Sequence, residues 1–171
     1  MRRAALFALT GLGFFTFWLI ADPGFEASPT QGEWPNVLAF SAIILTLAFA
    51  VPQFADLVGG RWAFRASRVV AAGAVLSSVA NVIEDGFKMD WAFFAFILGF
   101  AIMEIGLLAL TIAIATRVGQ RHYGVVPAGA LAAILLFVIA GGPVMLGSWF
   151  VAAALALAQT RKRVEVAPTA S

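Results

Sequence analysis

Apolar residues run along this chain in long blocks, broken by short polar stretches, and never alternate with polar ones. The first block, residues 4–21, is apolar apart from Thr10 and Thr16. A stretch with Pro23, Gly24, Pro29, Gly32 and Pro35 follows, and these residues break helices. The next blocks are residues 36–58, where Pro52 is expected to kink a helix, then 67–83 and 91–116. Residues 125–160 are too many for one crossing. A bilayer core of ~30 Å takes ~20 helical residues, and ~36 would reach about 54 Å. Gly141-Gly142-Pro143 divides this stretch, which predicts spans at 125–140 and 143–159. Both are short, so local thinning or a re-entrant arrangement is open to them. Residues 161–171, with Pro168, read as a flexible tail.

Composition turns these blocks into membrane spans. Of 171 residues, 62% are hydrophobic and 12% charged. A soluble domain is about half apolar and a quarter charged, so this chain lacks the polar surface to cover a globule. Without strand alternation the spans are helices, not barrel strands. The expected fold is an all-α integral membrane protein, a compact bundle of six transmembrane helices with short loops. Met1-Arg2-Arg3 before a greasy block resembles a signal peptide. Phe14, Phe15, Phe17 and Trp18 make the block unusually aromatic, and Leu19-Ile20-Ala21 is a poor cleavage site. The first span is therefore expected to be retained.

Charge sets the orientation. Six spans put the N-terminus, residues 59–67, residues 117–124 and the tail on one side. Ten of the eleven basic residues fall there or beside it: Arg2, Arg3, Arg61, Arg65, Arg68, Arg117, Arg121, Arg161, Lys162 and Arg163. Lys88 lies opposite, with Asp22, Glu26, Glu33, Glu84, Asp85 and Asp90. This asymmetry predicts both termini in the cytoplasm. Membrane orientation also accounts for the pI near 9.7, so no nucleic-acid partner is inferred. The expected partners are the lipid bilayer and either a homo-oligomer or a membrane partner protein. Arginine- and alanine-rich usage points to a bacterial inner membrane.

Candidate chemistry is sparse. There is no cysteine and one histidine, His122, so thiolate chemistry, paired-histidine haem ligation and multi-histidine metal sites are excluded within one chain. No cofactor is implied, and no nucleotide-binding loop appears. Glu104, near the middle of residues 91–116, is the deepest carboxyl group in any span. A charged carboxylate at that depth costs about 2.5 kcal/mol or more on insertion scales, and such groups mark function by default. Gly73, Ser77 and Asn81 recur every four residues, so they share one helix face. Ala95 and Gly99 give the next span a comparable face of small residues. Glu84 and Asp85 follow in the acidic loop, so polar groups are expected to descend from Glu84 and Asp85 through Asn81 and Ser77 to Glu104. Gln53 and Asp56 form a secondary polar pair at the cytoplasmic end of the second span, with Asp56 expected to pair with Arg61 or Arg65.

Three functions fit this pattern. The first is a transporter or channel-like protein for a proton, cation or small polar solute, using the polar face between the third and fourth spans. The alternative is a non-catalytic membrane subunit or scaffold that binds partner helices. An intramembrane enzyme for a lipid-soluble substrate ranks third. A transporter needs a cavity reaching Glu104, whereas a scaffold should bond Glu104 inside a dry interface. An enzyme should pair two carboxyl groups about 5–9 Å apart, by analogy with other two-carboxyl sites.

Overall fold

The computed structural model describes residues 1–20 and 34–166, apart from the side chains at 137–138 and 162–166. Asp22, Glu26 and Glu33, and the last five residues of the expected tail, lie outside the described residues. The described residues form helices and turns without any strand. In chain order the helices are α1 (Arg2–Ile20), α2 (Trp34–Val58), α3 (Arg61–Asn81), α4 (Ala92–Ala115), α5 (Val125–Leu135) and α6 (Phe137–Val166). A π-helical turn, Val82–Gly86, extends α3, and a 3-10 turn, Arg121–Gly124, leads into α5. α1, α2, α4, α3 with its π turn, and α6 from Ile139 are each long and apolar enough to cross a membrane.

Several boundaries differ from the sequence expectation. α2 starts at Trp34 and takes in Pro35, which the sequence pattern places in the loop. Proline suits the first turn of a helix, where its missing N–H has no partner to lose. α2 then runs unbroken through Pro52. α3 begins at Arg61, six residues before the expected start, because Gly59 and Gly60 make the whole turn. Both have positive φ, 74° and 103°, a conformation glycine adopts without steric cost. The last break moves in the other direction. α5 ends at Leu135, and the non-helical residues are Leu136 and Ala140, not Gly141-Gly142-Pro143. Pro143 instead sits three residues past the Ala140 kink, in the first turn of the long part of α6. α6 carries on through Arg161 to Val166.

Consecutive helices run antiparallel. Phe7 meets Phe54 near one end of the α1–α2 pair, and Phe17 stacks on Phe40 near the other. α3 and α4 make the most extensive contact in the molecule. A Cβ on Gly73 would lie 2.5 Å from Met103 N, and one on Gly106 would lie 2.7 Å from Val70 N. Such spacing lets two backbones pack directly. α1 and α6 are joined in the same way: Gly11 faces Trp149 and the Leu146 backbone, and Gly142 faces Trp18. α5 folds back on α6, with Gly129 against Ser148.

Further contacts gather the start of α1 and the far part of α6 at one end of the bundle. Arg3 of α1 pairs with Asp56 of α2 at 3.7 Å. Gln159 of α6 donates to the Leu57 carbonyl at 3.3 Å. Arg117, just after α4, donates to the Val58 and Gly59 carbonyls. At the opposite end Trp34 lies over Gly86 and packs edge-on against Phe87. The shared core is apolar, built on Phe7, Leu47, Phe54, Leu107, Leu110, Ile114 and Trp149.

Candidate functional site

The polar stripe of α3 divides between two neighbours. Ser77 is fully buried against α4, where its hydroxyl donates to the Phe96 carbonyl at 3.3 Å. Ser78 and Asn81 turn toward α2. Ser78 donates to the Ser41 carbonyl at 2.9 Å. Asn81 donates to Ser41 Oγ at 3.0 Å and to the Val37 carbonyl at 3.3 Å. These groups hold helices together, and their hydrogen bonds satisfy the polar atoms they bury. No open channel runs between α3 and α4 along this stripe, because Gly73, Gly99 and Gly106 bring the two backbones into contact there.

Glu104 is not on that seam. Gly99, Met103 and Gly106 face α3, while Phe100 and Glu104, four residues apart, share another side of α4. That side opens on a cavity of about 220 Å³ between α1, α2, α4, α5 and α6. Phe14, Phe40 and Phe100 supply aromatic walls, and Ile44, Met103, Ile134 and Met145 supply aliphatic ones. Ala133 and Gly141 complete the lining from the end of α5 and the start of α6. At ~30 Å³ per molecule the volume would hold about seven waters. Glu104 is the one ionisable side chain in the lining. It is half-buried and has no hydrogen-bond or ion-pair partner among the described residues.

The aromatic walls continue beyond the cavity. Phe40 stacks on Phe17 with centroids 5.1 Å apart and meets Phe96 at 6.2 Å, and Phe96 meets Phe100 at 4.8 Å. Three phenylalanine rings and one carboxyl group suit a small cation, through charge attraction and the electron-rich ring faces. They equally suit a proton, which the carboxyl can carry.

The other expected site residues lie elsewhere. Glu84 and Asp85 are half-buried in the π turn at the Trp34 end, outside the cavity lining. Asp56 pairs with Arg3 instead of Arg61 or Arg65, because α1, not the start of α3, presents an arginine beside it. Both partners are about half exposed, 45% and 48%, a setting in which ion pairs contribute little. Gln53 is half-buried on the preceding turn and is not part of the cavity. No group of three potential metal ligands occurs among the described residues. The cavity walls were missed in the sequence because each wall residue looks like ordinary packing. The one usable signal was Phe100 four residues before Glu104.

The site and fold define a helical protein with membrane-length helices around one carboxyl-bearing cavity. No protein-family model, curated protein or solved structure matches the chain.

Proposed function

We propose that this chain is a six-span protein of the bacterial inner membrane, with both termini cytoplasmic, that acts as a transporter or channel-like protein. Its substrate is a proton, cation or small polar solute, and Glu104 is the binding group. The observation that carries this reading is the cavity that reaches a carboxyl group with no partner among the described residues. A scaffold would bond Glu104 inside a dry contact. An intramembrane enzyme would need a second carboxyl group in the lining, and there is none. The ligand space lies between α4 and α1, α2, α5 and α6, not between α3 and α4 as the sequence suggested.

Six crossings fit the geometry although α5 has only 11 residues. With the four residues of the 3-10 turn it covers about 24 Å, short of the ~30 Å hydrocarbon core, so this crossing relies on local thinning of the bilayer. Its end lines the same cavity as Gly141 at the start of α6, so the chain reverses near that level. The basic residues then collect at the end holding Arg3, Arg61 and Arg117, the cytoplasmic side by the positive-inside rule.

The test uses the purified chain in liposomes. An internal pH-sensitive dye follows proton movement, and added sodium, potassium or tetramethylammonium tests cation exchange. The wild type should dissipate an imposed gradient. Glu104→Gln keeps shape and hydrogen bonding but removes the acid group, and it should fold normally and lose this flux. Wild-type flux in the Gln variant, or none in either protein with every ion, would return the scaffold reading to first place.

A further inference from the structure

A second concave surface lies at the basic end, on the outer face of α3 and α4. It is a groove of about 700 Å³, far larger than the cavity at Glu104. Its floor and far walls are apolar: Ala66, Val69, Ala109, Ile112 and Ala113. Its mouth is cationic, formed by Arg61, Arg65 and Arg117. No carboxylate lines it. The nearby Asp56 is engaged by Arg3 on α1.

The arginines are arranged in different ways. Arg117 is anchored, donating to the Val58 and Gly59 carbonyls. A Cβ on Gly60 would lie 2.7 Å from its Nη1, so the guanidinium rests directly on the α2–α3 turn. Arg65 lies over the Trp62 ring, 5.0 Å from its centroid. Arg61 opens α3, whose first N–H groups receive no side-chain cap and carry the positive end of the helix dipole. Three arginines thus line the groove beside the start of α3. Trp62, 68% exposed, stands where an aromatic side chain meets headgroups.

We propose that this groove seats one anionic phospholipid of the cytoplasmic leaflet. The phosphate lies against Arg61, Arg65 and Arg117, and one acyl chain runs along Val69, Ala109 and Ile112. The charge pattern selects the lipid: a zwitterionic headgroup would bring a further cation to a groove whose charged residues are all arginines. Arginine suits the role because its planar fork binds phosphate oxygens in pairs.

Native mass spectrometry of the full chain, released from detergent, tests this. Phosphatidylglycerol should be retained at least tenfold better than phosphatidylcholine of the same chain length, a difference of about 1.4 kcal/mol. The double variant R61Q/R65Q should lose that preference, whereas R2Q/R121Q, at two exposed arginines outside the groove, should keep it. Val69→Trp fills the trough without touching a charge, and it should lower retention of phosphatidylglycerol. Excess inorganic phosphate should fail to displace the lipid, because the acyl chain supplies part of the hold. Equal retention of the two lipids, an unchanged R61Q/R65Q variant, or displacement by phosphate alone would each overturn the proposal. These outcomes are independent of the Glu104 flux assay. Only a chain recovered in the soluble fraction without detergent would remove both readings together.

Discussion

The backbone of Gly73 lies against that of Met103. A Cβ at position 73 would come 2.5 Å from Met103 N and 2.6 Å from the Gly99 carbonyl oxygen. Neither backbone atom can move without shifting its helix. Gly73→Leu should therefore destabilise the protein by about 3 kcal/mol, the upper end of typical overpacking costs. Ala72→Leu, at an exposed position one residue away, should change stability by less than about 0.5 kcal/mol. Thermal unfolding in detergent compares the two. Matching midpoints would mean that α3 and α4 do not pack through Gly73.

Asn81 offers a second test, because its role in binding α2 separates from any role in transport. Its amide donates to Ser41 Oγ and to the Val37 carbonyl. Asn81→Ala should cost about 1 kcal/mol, and a double-mutant cycle with Ser41→Ala should show coupling near 0.6 kcal/mol, typical of hydrogen bonds between membrane helices. The flux assigned to Glu104 should survive in Asn81→Ala. Loss of flux at unchanged stability would put Asn81 back on the solute path.

The same residues show what the sequence could reveal. Gly73 and Ser77 announced a close helix contact because small residues four apart leave a periodic mark on one face. The partner of Asn81 was not legible, since Ser41 and Val37 sit in an apolar run that offers no pairing information. The start of α3 was misplaced because arginine and tryptophan suit a headgroup-level loop as well as a helix, and only the glycine dihedrals decide. Gly141-Gly142-Pro143 read as a break, yet proline is compatible with a first helical turn, so the chain bends at Leu136 and Ala140 instead. Glu104 stood out by its depth. The direction it faces depends on how α1, α2, α5 and α6 are placed around the cavity beside α4, which no local pattern records.

Orientation in the membrane gives a third prediction. The contacts of Arg3 with Asp56, and of Gln159 with Leu57, bring α1 and the far part of α6 to one end of the bundle. Reporters fused after Ser171 and inserted at Gly119 should both register the cytoplasm. A reporter between residues 22 and 33 should register the opposite side. Opposite signals from the Ser171 and Gly119 fusions would mean that α5 and α6 together do not complete two crossings.

The cavity beside Glu104 allows the sharpest separation of transporter from scaffold. Ala133 is 1% exposed and lines the cavity from α5, facing Met103 and Met145 across about 220 Å³ of space. Ala133→Leu adds aliphatic bulk to that space while leaving the carboxyl untouched. A void that serves no ligand should welcome the added methylenes, and cavity filling of this kind commonly stabilises by about 0.5–2 kcal/mol. A binding space should instead lose room for its occupant. The transport reading therefore predicts that Ala133→Leu unfolds at the wild-type temperature or higher, yet moves protons or cations at least about tenfold more slowly, a barrier change near 1.4 kcal/mol. Glu104→Gln should lose flux by a different route, with cavity size unchanged. If Ala133→Leu gains stability and keeps full flux, the cavity is a packing defect, and solute movement through Glu104 has to be abandoned.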